Sequence, residues 1–301
     1  VVNDISNRKF RPNPGRKERP KDAFFDWLHG KWHDGFCPIG PCVTSADAIG
    51  DPQALPMELT LNGQTKQKAS TALQIFPVAA VIEFISSFGV GYDNIDAKWA
   101  GEHGIVVTNT PEVLNEEVAD TAIGLLLCTT REFPQAERYL RTGQWVAKGD
   151  YPLSPSLRNR TVGMVGLGRI GQAITRRLDA MRVPVVYHTR RPVADVPYRH
   201  YPNLLEMARD VDVLLVITPG GAETRHLIDA KVLDVLGPDG ILINMSRGSV
   251  VDEPALIAAL QQHKILSAGL DVFAHEPEVP QELIAMQNVV LFPHLGSSSR
   301  H

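Results

Sequence analysis

Three segments of the chain each place one chemically capable side chain just past a short apolar run. Ile243-Asn-Met-Ser-Arg-Gly-Ser-Val-Val-Asp252 carries Arg247. An arginine there can grip a carboxylate through two parallel N–H donors and polarise the carbonyl beside it. Gly269-Leu-Asp-Val-Phe-Ala-His-Glu-Pro277 carries Glu276, and Phe292-Pro-His-Leu-Gly-Ser297 carries His294. Histidine titrates near neutrality, and a carboxylate beside it favours its charged form. A charged imidazole can hand a proton to an oxygen that becomes an alkoxide as hydride arrives at its carbon. Together the three suit reduction of a 2-keto acid. Singly each has a plain reading: a surface charge, a loop acid before Pro277, a helix-start residue. Three such loops at one sheet edge are what sets the set apart.

Hydride chemistry calls for a dinucleotide, and Thr161-Val-Gly-Met-Val-Gly-Leu-Gly-Arg-Ile-Gly171 reads as its site. Val162 to Val165 form an apolar strand, and Gln172 to Arg182 carry helical periodicity through Ala173, Ile174, Leu178 and Met181. Between them Gly166, Gly168 and Gly171 spell G-x-G-x-x-G. The first glycine permits the tight reversal, the second lets backbone approach a pyrophosphate, and the third lets helix and strand pack closely. Leu167, Arg169 and Ile170 bring the backbone N–H groups of the helix start to the phosphates. The next strand ends in Tyr187-His-Thr-Arg-Arg-Pro192, with no acidic residue between Asp179 and Asp195. A carboxylate there would bind a ribose diol and repel a 2′-phosphate. Thr189, Arg190 and Arg191 instead suit phosphate, so NADP(H) is expected ahead of NAD(H). Ile217-Thr-Pro-Gly-Gly-Ala222 follows a further strand, and Thr218 and Pro219 are expected to form a wall against the cofactor. Asp271 is placed with the same cofactor-binding set.

These loops need a scaffold, and the second half of the chain supplies a βα rhythm. Strands are expected at 162–166, 183–188, 213–217, 241–244, 267–271 and 289–292. Helices between them include 170–181, 203–209, 229–236 and 253–262. That alternation predicts a doubly wound parallel sheet of Rossmann type, class α/β. Upstream, Glu116 to Thr130 and Phe133 to Thr142 read as helices, with Gly143 capping the second. Asp150 to Arg160 is a Pro/Ser loop.

Residues 1–88 have another texture, a partial mixed or β-rich segment without βαβ rhythm. Arg8 to Lys21 is a long basic, proline-bearing loop. Asn62-Gly63 marks a hairpin between Leu59 and Lys66. Val78 to Phe88 is an apolar helix candidate.

With 301 residues, 44% hydrophobic and 21% charged, the chain is long enough for two globular domains. A net charge of −4 favours neither nucleic acid nor a basic membrane patch as partner. Cys37, Cys42 and Cys128 form no metal or C-x-x-C pattern and read as reduced thiols of a cytoplasmic protein. The apolar run Ala122 to Cys128 is too short to span a bilayer. No signal peptide is expected. The start at Val1 and the stop at His301 read as cut ends.

From Gly89 onward the chain resembles the D-isomer-specific 2-hydroxyacid dehydrogenases. Phe88-Gly-Val-Gly-Tyr-Asp-Asn-Ile-Asp96 is similar to their substrate loop, and Gly104-Ile-Val-Val-Thr-Asn-Thr-Pro111 to the entry of their nucleotide domain. The resemblance implies Arg247 as the substrate arginine and Glu276 with His294 as the catalytic pair. It implies Val90 and Gly91 as backbone that touches the substrate carboxylate. The arginine-bearing strand end resembles the NADPH-linked glyoxylate/hydroxypyruvate reductase branch.

Residues 1–88 resemble the fumarylacetoacetate hydrolase family. The carriers are Val1-Val-Asn-Asp-Ile-Ser-Asn-Arg8, Trp27-Leu-His-Gly-Lys-Trp32, Gly35-Phe-Cys-Pro-Ile-Gly-Pro-Cys42, Asp51-Pro-Gln53, Leu61-Asn-Gly-Gln64 and Ile75-Phe-Pro-Val-Ala-Ala-Val-Ile-Glu-Phe-Ile85. This implies Asp4 as one ligand of a divalent metal, Lys31 as a catalytic lysine and Arg8 near the substrate. The family's glutamate pair is absent from the sequence. One carboxylate holds a hard cation poorly, so a bound divalent metal is not expected.

The junction is placed near Ile85 to Gly89. The resemblance implies a first half of the substrate domain, replaced here by 1–88, and a helix after His294. Binding is therefore expected more firmly than turnover, on a small-molecule 2-keto acid, with a homodimer as the open assembly. Two rival readings stand beside this one. One is a metal-dependent acylpyruvate-type hydrolase acting from 1–88. The other is a nucleotide-binding but inactive hybrid.

Overall fold

The computed structural model describes residues 56–61, 64–70, 84–87, 89–93 and 95–299. Asp4, Arg8, Lys31, Cys37 and Cys42 lie outside the described residues. The chain divides into two units, Val1–Glu83 and Phe84–His301. In the first unit β1 (Pro56–Leu61) and β2 (Gln64–Ser70) pair antiparallel, with Leu61 opposite Gln64. That is the hairpin register that Asn62-Gly63 predicts, although those two residues lie outside the described set.

The second unit opens with β3 (Phe84–Ser86), α1 (Ala97–Glu102) and β4 (Val106–Thr108). β3 and β4 pair in parallel, and the Ser87 N–H extends the ladder to the Thr108 carbonyl at 2.8 Å. This corrects the helix expected over 78–88 at its last turn; 78–83 lie outside the described residues. A short apolar run has no period that tells strand from buried helix, and here the pairing partner decides.

Two longer helices follow, α2 (Asn115–Thr130) and α3 (Phe133–Arg141), then the short α4 (Gln144–Lys148). Gly143, at φ +73°, ends α3 as expected and starts α4 directly.

The sheet is built from β5 (Val162–Val165), β6 (Val185–His188), β7 (Arg199–Tyr201), β8 (Val213–Val216), β9 (Ile241–Asn244), β10 (Ser267–Leu270) and β11 (Val289–Leu291). All neighbours are parallel, in the order β11-β10-β9-β8-β5-β6-β7. The order reverses between β5 and β8, and ligands of such sheets bind at the carboxyl ends beside that reversal. The expected strands agree to within two residues at each end. β7 was not expected: it has three residues, Arg199, His200 and Tyr201, of which the tyrosine is buried, too few for a visible period.

Helices cover both faces. On one, α2 and α5 (Arg169–Ala180) pack Leu125, Leu126, Ile174 and Leu178 against Met164, Leu215 and Ile243. On the other, α6 (Leu204–Asp210), α7 (Ala230–Leu236) and α8 (Glu253–Gln261) bring Met207, Leu233 and Leu256 against Leu214, Val216 and Leu242. Successive strand residues serve opposite faces, which is why these strands read as continuous apolar runs. A short α9 (Gln281–Ala285) precedes β11.

The helix starts differ in one respect that matters for the site. Asn203, Asp229 and Asp252 cap α6, α7 and α8 with their own side chains, each bond typically contributing about 1 kcal/mol. α5 begins at Gly168 with no side-chain cap. Its first N–H groups therefore have no acceptor from the cap residue.

Candidate active site

The turn after β5 is set by contact with the loop after β8. Gly166 adopts φ +102°, and a Cβ there would lie 2.8 Å from the Ile217 carbonyl oxygen. Any side chain would push the two loops apart. Gly171 meets the same limit, since its Cβ would stand 2.8 Å from the Gly166 carbonyl oxygen. At Gly168 the reverse holds: a Cβ would meet nothing within 4 Å. Open space thus faces the uncapped start of α5, with the N–H groups of Arg169 and Ile170 in its first turn. Leu167 is buried beneath the turn. The Arg169 side chain points to Glu112, at 3.1 Å, so its contribution to a ligand is its backbone. Beside the turn, the Thr218 hydroxyl is buried and has no hydrogen-bond partner among the described residues. An uncapped helix start, open space and an orphaned hydroxyl fit the phosphates of a dinucleotide.

At the end of β6, the Thr189 hydroxyl donates to the Arg191 carbonyl at 2.6 Å. Arg190 reaches away from β6 and pairs with Glu223, in the loop after β8. The loop itself is folded on the Thr224 hydroxyl, which donates to the Pro219 carbonyl at 2.7 Å.

Arg247 stands one residue past the β9 turn. Asn244 anchors that turn: its side-chain carbonyl accepts from the Ser246 N–H and hydroxyl, and its amide donates to the Arg247 carbonyl at 3.1 Å. The Arg247 guanidinium donates through Nε to both oxygens of Asp93, at 3.0 and 3.1 Å, and through Nη1 to the Ser246 carbonyl at 2.7 Å. Nη2 turns toward Gly91, where a Cβ would overlap it at 1.7 Å. Only glycine at 91 allows this placement. The loop of Val90 and Gly91 is held in turn by Asn109, which donates to the Val90 carbonyl at 2.7 Å, and by Gly89 and Thr110.

Gly248 joins this loop to the next. A Cβ on it would fall 1.9 Å from the Phe273 carbonyl carbon and oxygen. Backbone lies on backbone there, which places the Arg247 turn directly over the loop after β10. In that loop the Phe273 N–H donates to Glu276 Oε1 at 3.0 Å, and Glu276 Oε2 lies 2.7 Å from His294 Nδ1. A carboxylate can only accept, so Nδ1 carries the proton and Nε2 is the ring's outward nitrogen. His294 itself sits at φ +52°, its N–H donating to the Asp271 carbonyl at 2.9 Å.

Asp271 is the buried member of the group. Its two oxygens accept from the Leu295 N–H at 2.6 Å and the Gly296 N–H at 2.9 Å. Burial pushes its carboxyl above the usual carboxylate range, and Glu276 adds to this. The two N–H bonds and the His294 charge pull the other way. Its visible task is to hold the His294 turn against the end of β10, a task the sequence did not disclose.

The structure therefore brings Arg247, Glu276, His294, Val90 and Gly91 together through a continuous run of contacts. Asp93 and Asn109 are additions. Each lies in a loop already singled out, but nothing in residue type or spacing marked it as a partner of Arg247 or Val90. No cluster of three or more His, Cys, Asp or Glu placed for a metal occurs among the described residues. No helix among them is long and apolar enough to cross a membrane.

Asp271→Asn tests the holding task. The amide would oppose an N–H donor with an NH2, leaving a buried bond unmade at a cost of about 1–3 kcal/mol. A lower melting temperature with NADPH affinity kept is expected. Weaker NADPH binding at unchanged melting temperature would instead mark Asp271 as a cofactor contact.

Comparison with known proteins agrees with this geometry. The pattern for "D-isomer specific 2-hydroxyacid dehydrogenase, NAD binding domain" matches residues 123–296. A second pattern, "Fumarylacetoacetate (FAA) hydrolase C-terminal", matches residues 1–93. Glyoxylate/hydroxypyruvate reductase A of Arabidopsis thaliana is 46% identical over 218 residues, 72% of this chain and 69% of that protein. A glyoxylate reductase of Pyrococcus horikoshii is 37% identical over 265 residues, 83% of this chain and 79% of that protein. Among solved structures, an NADPH-dependent glyoxylate/hydroxypyruvate reductase from Sinorhizobium meliloti, in complex with NADP and malonate, is 57% identical with a TM-score of 0.71. That match covers 72% of this chain and 68% of the other. Since the first pattern spans the whole seven-stranded sheet and the loops that bear Arg247, Glu276 and His294, the chain belongs to the D-isomer specific 2-hydroxyacid dehydrogenase family.

Proposed function

We propose that the chain reduces a small 2-keto acid, glyoxylate or hydroxypyruvate, with NADPH as the hydride donor. The observation that carries this reading is the contact run from Arg247 through Gly248, Phe273 and Glu276 to His294, at the sheet edge that also bears the glycine-rich turn. The relatives named as reductases of these two acids support the substrate class.

The bound nicotinamide supplies hydride to the keto carbon. The rest is the work of side chains. Arg247 has Nε committed to Asp93, so the Nη2 edge beside Gly91 is what it offers a substrate carboxylate. We assign the Val90 and Gly91 backbone to the same carboxylate. His294, oriented by Glu276 through Nδ1, presents Nε2 to the keto oxygen and gives it a proton as charge develops there. Glu276 then faces a ring that has lost charge rather than gained it, which makes the pair ready for reprotonation from solvent. Gly168 and the first N–H groups of α5 are assigned to the pyrophosphate. Thr189, Arg190 and Arg191 are assigned to the 2′-phosphate, and Thr218 and Pro219 to the nicotinamide side.

His294→Ala should lower kcat by roughly a hundredfold or more, the range of a lost general acid, while NADPH affinity stays unchanged. Steady-state kinetics with hydroxypyruvate, paired with NADPH fluorescence titration, read both quantities. A kcat within a few-fold of the parent would remove His294 from the mechanism.

Arg190→Ala should weaken NADPH by roughly tenfold, about 1.4 kcal/mol, and leave NADH nearly unaltered, because a charge-assisted bond to phosphate is lost only with the former. Equal losses for both cofactors would contradict the assignment of Arg190 to the 2′-phosphate.

A further inference from the structure

We propose that Glu223 is a specificity-determining residue that competes with the cofactor's 2′-phosphate for Arg190. The inference rests on the assignment of Arg190 made above and adds a second residue, from another strand's loop, to cofactor choice.

The argument begins with the sheet order. β6 and β8 lie on either side of β5. Arg190 follows β6 and Glu223 follows β8, so an ion pair between them crosses the carboxyl end of β5, where the glycine-rich turn starts. A dinucleotide bound from this turn to the end of β6 would share that edge with the Arg190–Glu223 pair. The end of β6 itself lacks an acid. The pair therefore brings to the ribose end a carboxylate that the strand-end sequence does not contain.

Glu223 is held in place by its neighbours. The Thr224 N–H donates to the Gly221 carbonyl at 3.2 Å, and the Thr224 hydroxyl to the Pro219 carbonyl at 2.7 Å. Two residues on, the His226 N–H donates to the Ser249 carbonyl at 2.9 Å. The loop is tied at both sides of Glu223, so its backbone keeps this place while the exposed side chain is free to release Arg190.

A 2′-phosphate bears nearly two negative charges at neutral pH. To bind Arg190 it must displace the Glu223 carboxylate. With NADH there is no phosphate, and the Arg190–Glu223 pair stays intact. Glu223 thus lowers affinity for NADPH and leaves NADH unaffected, narrowing the preference that Arg190 and Arg191 create. Both side chains are largely exposed, at 84% and 74%, so solvent screens the competition and its size is modest.

The test uses the full chain and four forms: the parent, Glu223→Gln, Arg190→Ala and the double variant. Each is titrated with NADPH and NADH, and with the fragments 2′,5′-ADP and 5′-AMP as competitors. Glu223→Gln should tighten NADPH and 2′,5′-ADP roughly two- to fivefold and leave NADH and 5′-AMP unaltered. In the Arg190→Ala background the same substitution should have little effect, since the contested group is gone. Unchanged or weaker NADPH binding in Glu223→Gln overturns the proposal, and so does equal tightening with and without Arg190. If Arg190→Ala leaves the ratio of NADPH to NADH affinity unaltered, the 2′-phosphate assignment fails as well. Arg190→Ala thus separates failure of that assignment from failure of the Glu223 proposal alone.

Discussion

The carboxylate of Asp271 is the point on which the geometry around His294 turns. It is buried at the end of β10, yet each of its oxygens accepts a backbone N–H from the turn after β11. A buried carboxylate is costly unless its lone pairs are met, and the two N–H groups of Leu295 and Gly296 meet them. The bonds pull the start of the following segment onto β10 and leave His294 with a left-handed backbone, its ring 2.7 Å from Glu276. Thr121 of α2 adds a donor to the Gly296 carbonyl at 3.3 Å, so the same turn is fixed to the helix layer behind it.

Close backbone approach then transmits this order along the sheet edge. Gly248 over Phe273 links the β9 and β10 loops, and Gly166 against Ile217 links the β5 and β8 loops. Side chains at either glycine would separate strand ends that must stay adjacent. The parallel sheet makes such contacts available, because every strand in it ends on one edge and all four loops leave from that edge. What remains soft is the polar fringe after β6, where Arg190 and Glu223 are both mostly exposed. The Glu276–His294 pair stands on the buried Asp271, whereas the Arg190–Glu223 pair stands largely in solvent.

Sequence reasoning reached the parts of this design that rest on strong local patterns. The glycine-rich turn, the apolar strands β5, β8 and β9, and the three chemical loops follow from burial on both faces and from residue type. Helices α6 to α8 follow from their place between strands, and the structure adds their capping residues, Asn203, Asp229 and Asp252. Long-range pairings were not legible. Asp93 lies 154 residues from Arg247, and Glu223 lies 33 from Arg190. A carboxylate in a loop looks alike whether it is solvated or paired. β3 was hidden for a related reason: Phe84–Ser86 has no helical or strand period of its own, and its state is set by β4, 20 residues later. The role of Asp271 was obscured by the neighbouring Glu276, whose chemistry is easier to imagine than a structural anion's.

The function proposed for this site is hydride transfer to the C2 carbon of a 2-keto acid held by Arg247 and protonated by His294, and the family is specific for D isomers. The most direct measurement supplies hydroxypyruvate and NADPH deuterated at the transferring C4 position, and analyses the glycerate formed by chiral chromatography and mass spectrometry. Product accumulates over long incubation even where turnover is slow. D-glycerate with one deuterium at C2, formed roughly a hundredfold or more slowly when His294 is replaced by alanine, is the predicted result. L-glycerate, glycerate without the label, or no glycerate at all would contradict the account.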